Sequence, residues 1–96
     1  MRLLPYEIDS IKKAFLQNFD DGKIYLFGSR VDDTQRGGDI DLYLCPSQKF
    51  DDERVRRRNF LIMLDECIGE QKIDVVMAKD KDRLIEKEAL RTGVEL

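Results

Sequence analysis

The order of elements legible in the chain is helix, strand, strand, helix, strand, helix. It predicts an α/β (α+β) fold with a small mixed β-sheet flanked by helices. Three observations carry this expectation. Apolar residues recur at helical spacing over Ile8, Ile11, Phe15 and Phe19 and again over Phe60, Met63, Leu64, Cys67 and Ile68. Residues 39–44 alternate strictly between polar or aromatic and aliphatic side chains. Two short runs rich in β-formers, Ile24–Phe27 and Ile73–Ala78, each follow a glycine-containing break.

In chain order, Pro5 suits the first turn of a helix, because the N–H it lacks would be unpaired there. Asp20-Asp21-Gly22 reads as its stop, with Gly22 in a left-handed C-terminal position. Ile24-Tyr25-Leu26-Phe27 reads as a buried strand ended by Gly28-Ser29, and Arg30 to Gly38 as a polar loop. In the next strand Ile40, Leu42 and Leu44 share one face and Asp39, Asp41 and Tyr43 the other. Asp51 to Ile68 forms the second helix, its acidic first turn complementing the helix dipole, and Gly69 ends it. Ile73 to Ala78 reads as a strand apolar on both faces except at Asp74. Asp80 is placed as the cap of a last helix through Leu84, Ile85, Ala89 and Leu90, ending at Gly93.

Composition narrows the chemistry. With 96 residues, 42% hydrophobic and 39% charged, the expectation is one domain spanning residues 1–96 with a single core. No apolar run approaches the roughly 18 residues a membrane helix needs, and the first residues do not resemble a secretory leader; a cytoplasmic location is expected. Cys45 and Cys67 are too far apart in sequence for a CxxC motif and are expected to be reduced and buried. There is no histidine, which excludes a Ser-His-Asp triad, a histidine base and histidine-ligated zinc. Acid–base or metal chemistry falls to carboxylates, and oxygen ligands favour magnesium or manganese. A net charge of −3 argues against a broad nucleic-acid surface. Arg54, Arg56, Arg57 and Arg58 nevertheless form a basic cluster, either a solvated helix face or a docking surface for an acidic partner or a nucleotide.

Three features bear on chemistry. Asp39 and Asp41, two apart on a strand, place their carboxylates on one face about 7 Å apart. Their mutual repulsion is relieved by a divalent cation; solvated aspartates on an amphipathic edge strand are the plain alternative. Asp74 interrupts a run suited to full burial, where a carboxylate is costly unless paired or metal-bound. An Asp satisfied by main-chain N–H at the sheet end is its alternative. Gly28-Ser29 offers close main-chain approach and a hydroxyl to a phosphate, or simply a capped turn.

Together, Leu26-Phe27-Gly28-Ser29, the nine residues Arg30 to Gly38, Asp39-Ile40-Asp41-Leu42 and Asp74 resemble the catalytic signature of the DNA polymerase beta-like nucleotidyltransferase superfamily. The resemblance extends in particular to the minimal nucleotidyltransferase (MNT) family, the antitoxin halves of HEPN–MNT toxin–antitoxin pairs. Phe27-Gly28-Ser29-Arg30, Asp39-Ile40-Asp41-Leu42 and the ending Glu88-Ala89-Leu90-Arg91-Thr92-Gly93-Val94 carry it. Gly38 stands where that family often has Ser, and a second domain of the kind with which larger relatives complete an acceptor pocket is not expected.

The resemblance implies a polymerase beta-like fold and catalytic, metal-binding roles for Asp39, Asp41 and Asp74. It implies two Mg2+ ions, with ATP as substrate. Gly28 and Ser29 would hold the β- and γ-phosphates; Arg30, and more weakly Arg36, would stabilise charge on the transferring phosphate. The implied reaction is transfer of AMP to a hydroxyl, a tyrosine's, of a HEPN ribonuclease toxin. Two other readings stand beside it. The chain would neutralise a partner by occlusion without catalysis, or it would be a small-molecule nucleotidyltransferase completed by dimerisation.

Overall fold

The computed structural model describes residues 3–31 and 38–96. Helix α1 runs Pro5–Phe19, strand β1 Gly22–Phe27, β2 Ile40–Pro46, helix α2 Glu53–Ile68, β3 Ile73–Met77, α3 Leu84–Thr92 and β4 Val94–Glu95, with a 3-10 turn over Gly28–Arg30. The sheet order is β3-β2-β1-β4. β1 pairs antiparallel with β2 and with β4, and β2 pairs parallel with β3. The expected mixed sheet with helices is therefore present, with an additional two-residue strand after Gly93 that periodicity over so short a run does not reveal.

Strand β2 is central, and its alternation sets the two layers. Ile40, Leu42 and Leu44 are fully buried in the main core with Ile11, Phe15, Phe19, Phe60 and Leu64 from α1 and α2. Phe19 packs edge-on against Phe60 at 6.4 Å and is stacked on Phe15 at 5.4 Å, contacts that add to simple burial. On the other face Tyr43 joins Phe27 and Ala89 in a smaller cluster under α3.

Several expectations are corrected. α1 ends at Asp20, which takes φ 67° and donates its N–H to the Leu16 carbonyl at 3.0 Å; Gly22 instead opens β1. A side chain at Gly22 would overlap the Cys45 carbonyl across the β1–β2 pair. Strand β3 is not covered on both faces: it lies at the sheet edge, Ile73, Val75 and Val76 are half-buried, and Asp74 is exposed. α2 buries only the narrow row Phe60, Leu64 and Ile68. Met63 lies half-buried beside that row, and Cys67, on its flank, is exposed; Cys45 is half-buried. Asp80 does not cap α3. Its carboxylate accepts the Asp82 N–H at 2.9 Å in a local turn, and the helix starts at Leu84 after Arg83.

That late start has a cause in Glu86, which is fully buried. Its carboxylate accepts hydrogen bonds from Tyr43 Oη at 2.8 Å, from the Lys79 and Asp80 N–H groups at 3.1 and 2.9 Å, and from Arg83 at 3.2 Å. The chain between β3 and α3 is thus wound around one carboxylate. α3 presents Glu86 and Ala89 to the sheet, while Leu84, Ile85 and Leu90 are exposed. Burial alone would raise the Glu86 pKa; the Asp80 N–H, the Tyr43 hydroxyl, the Lys79 N–H and Arg83 outweigh it and hold the carboxyl below its ordinary value.

A carboxyl with a lowered folded-state pKa contributes stability that is present above its unfolded pKa and lost as pH falls through the folded value. Thermal melts are therefore expected to show Glu86→Gln losing part of the wild type's acid sensitivity below about pH 4.5. Tyr43→Phe, removing one donor to a buried charge, should cost about 1.5–3 kcal/mol at neutral pH.

Candidate active site

Asp41 enters β2 one residue after its start. The parallel register places it opposite Asp74 of β3, and the antiparallel register opposite Phe27, the last residue of β1. The chain leaves β1 through Gly28 at φ 79°, and the main chain passes directly over the Asp41 carboxylate: a side chain on Gly28 would overlap it. Only glycine meets both conditions, the left-handed backbone and the absence of Cβ. The 3-10 turn Gly28–Arg30 follows at once. The glycine–serine bend and the two aspartates of β2 and β3 are therefore brought to one end of the sheet.

Asp39 lies just outside β2, which begins where the Ile40 N–H donates to the Lys72 carbonyl at 2.9 Å. Its Oδ2 is 3.4 Å from Lys72 Nζ. Partial burial raises the Asp41 pKa, and the negative charges of Asp74 and then Asp39 raise it further, against a lowering by Lys72. Three carboxylates thus sense one another electrostatically at Asp41. The argument from burial at Asp74 does not hold, since that residue is exposed. Register, not burial, brings it to Asp41, and register between non-adjacent segments is not readable from local pattern.

Arg30 points its guanidinium back along its own loop. Its Nη2 donates to the Gly38 carbonyl at 3.1 Å and to Gln71 Oε1 at 3.3 Å. Gln71 in turn donates to the buried Glu7 of α1 at 2.8 Å. Arg30 therefore links the exit of the glycine–serine turn to the residue before Asp39, a positional role that the sequence reading did not give it. Arg36 lies outside the described residues. Lys72 was also missed; it stands two residues before Asp74, and same-side spacing along an extended chain is the signal that finds it.

The donors fit a divalent cation of hard-oxygen preference: carboxylates that repel one another, one of them with a raised pKa, beside main chain that a Cβ would block. Among the described residues no group of three or more acidic or cysteine side chains is gathered closely enough to hold a metal ion, Asp39, Asp41 and Asp74 included. Magnesium characteristically uses one or two carboxylates completed by water and substrate phosphate, so an open arrangement suits it.

A mixed four-stranded sheet with a glycine turn over paired aspartates is the architecture of a nucleotidyl-transferring domain. The family model described as polymerase beta, nucleotidyltransferase, matches residues 9–96, and the chain belongs to this family. Nucleotidyl transfer is the activity that this membership supports. No curated protein matches the chain. Among the described residues no helix is long and apolar enough to cross a membrane.

Three outcomes test the site without recourse to turnover. A raised folded-state carboxyl pKa means that ionising Asp41 costs stability as pH rises through that value. Asp41→Asn is expected to raise Tm at pH 7, with the gain shrinking as pH falls into the carboxylate range. Added Mg2+ or Mn2+ should raise the Tm of the wild type and not that of the variant. Gly28→Ala, which demands positive φ of a side-chain-bearing residue and displaces the Asp41 carboxylate, should lower stability by about 1–3 kcal/mol in denaturant titrations and also abolish the Mg2+-dependent rise in Tm.

Proposed function

We propose that the chain is a magnesium-dependent nucleotidyltransferase that moves AMP from ATP to a hydroxyl of a protein acceptor, and that it serves as the antitoxin of a HEPN-type ribonuclease. The single observation that supports the chemistry is the placement of Asp41 beside Asp74 and under Gly28, with Asp39 at the strand's entrance. The adenylate and the toxin partner rest on the MNT resemblance of Phe27-Gly28-Ser29-Arg30 and Asp39-Ile40-Asp41-Leu42.

In this reading Asp39, Asp41 and Asp74 hold two Mg2+ ions. When bound, the metal neutralises phosphate charge and lowers the pKa of the attacking hydroxyl. The Gly28 main chain and Ser29 hold the β- and γ-phosphates. The acceptor oxygen attacks the α-phosphorus, the bond from that phosphorus to the bridging oxygen of the β-phosphate breaks, and pyrophosphate leaves. With no histidine in the chain, the hydroxyl proton passes to a carboxylate, for which Asp74 is the most exposed to an incoming acceptor. Arg30 keeps the Gly28 turn and Asp39 in mutual position.

The experiment is incubation with α-phosphate-labelled ATP, Mg2+ and a candidate HEPN ribonuclease encoded beside this chain. Label should appear on a tyrosine of the ribonuclease and its RNA cleavage should stop. Asp39→Ala and Asp41→Ala should each reduce labelling by at least about 10²-fold. Neutralisation that persists in both variants without label would overturn catalysis in favour of occlusion. Labelling of a small hydroxylated compound in the absence of any protein partner would overturn the protein acceptor.

A further inference from the structure

A groove of about 320 Å3 runs beside β3, lined by Glu53, Arg54, Arg57, Val75, Val76, Met77, Lys79 and Arg83. Its four cations come from three places: the first turns of α2, the second residue after β3 and the residue before α3. In a chain of net charge −3 this is a local concentration of positive charge. The arginine cluster divides by use. Arg56 is spent inside the fold, on Asp52 at 2.7 Å, on the Asn18 carbonyl at 2.7 Å and over the Phe50 ring at 3.9 Å. Arg54 and Arg57, three apart on one side of α2, line the groove. Arg83 keeps its contact with Glu86 and stands at the other wall.

The floor of the groove is the sheet edge. The Ile40 N–H reaches the Lys72 carbonyl and the Ala78 N–H reaches the Leu44 carbonyl, so Lys72 and Ala78 turn their main chain toward β2. Main-chain direction alternates along a strand. Asp74 and Val76 therefore share that inward side, and Ile73, Val75 and Met77 turn N–H and C=O outward. Among the described residues no strand covers that edge. A strand edge with open main-chain donors and acceptors is a template for an added strand. The usual protection by charge on the edge is replaced here by flanking walls that carry four cations and one carboxylate, Glu53.

We propose that this groove is the docking track for an extended, acidic segment of the acceptor protein, which joins the sheet beside β3 and pairs its carboxylates with Arg54, Arg57, Lys79 and Arg83. The inference rests on the reading that the acceptor is a protein. The track begins at Val75, the residue after Asp74, so a segment seated on it leads a neighbouring hydroxyl toward the carboxylate end of the sheet.

The test uses the full chain without nucleotide, so it is independent of catalysis. The probes are a short fluorescent peptide alternating glutamate with valine, its lysine-for-glutamate counterpart and a single-stranded oligonucleotide. The glutamate peptide should bind in a salt-sensitive manner and slow amide exchange at Val75 and Met77. The lysine peptide should not bind. Arg54→Glu/Arg57→Glu should weaken binding by about tenfold, and so should Val75→Pro, which removes an outward N–H while leaving the cations. No binding of the glutamate peptide, equal binding by both variants, or tighter binding of the oligonucleotide at the same amides would overturn the proposal. Peptide binding that survives in Asp41→Ala, while labelling of the acceptor is lost, separates the docking track from the catalytic reading.

Discussion

The pairing of β2 with β3 is the constraint on which the candidate site depends. Three fully buried aliphatic residues, Ile40, Leu42 and Leu44, hold β2 against the helical layer. A slip of one residue would send those side chains to the other face and bring Asp41 and Tyr43 into the core. The hydrophobic cost of that slip protects the register, and the register puts Asp74 beside Asp41. An electrostatically unfavourable meeting of carboxylates is thus maintained by apolar packing on the opposite side of the same strand. Burial first, and then the charges of Asp74 and Asp39, raise the Asp41 pKa, while Lys72 lowers it.

A second carboxylate shows the opposite arrangement. Glu86 is more deeply buried than Asp41, yet its pKa is lowered, because Tyr43, two main-chain N–H groups and Arg83 surround it. Asp41 faces neighbours of its own sign; Glu86 faces donors. The contrast separates a structural carboxylate from one whose charge is left for something else to neutralise. Tyr43 connects the two, since it lies two residues from Asp41 on the same strand and donates to Glu86 across the layer beneath α3.

Around the carboxylates, position is governed by small devices. Gly28 lets the main chain lie on Asp41. Arg30, Gln71 and Glu7 form a chain of polar contacts from the loop to α1. The groove beside β3 begins at Val75, one residue from Asp74, and its cations, Arg54, Arg57, Lys79 and Arg83, come from α2 and from the segment between β3 and α3. Membership of the polymerase beta nucleotidyltransferase family covers residues 9–96.

Local pattern determined a good deal. Helical and strand periodicity located the three helices and three of the four strands found among the described residues, and the alternation of residues 39–44 assigned the faces of β2 correctly, because side-chain direction along a regular element depends only on its period. The motifs around Gly28 and Asp39 also pointed to the family, since their spacing is local. Tertiary structure decided the rest. That β3 is an edge strand, that Asp74 is exposed yet opposite Asp41, that Cys67 is exposed, that α3 turns Glu86 inward and starts after Arg83, and that Arg56 serves the fold while Arg54 and Arg57 line a groove all depend on which segment packs against which. Those outcomes arise from contacts between residues far apart in the chain, and no window along the sequence contains both partners.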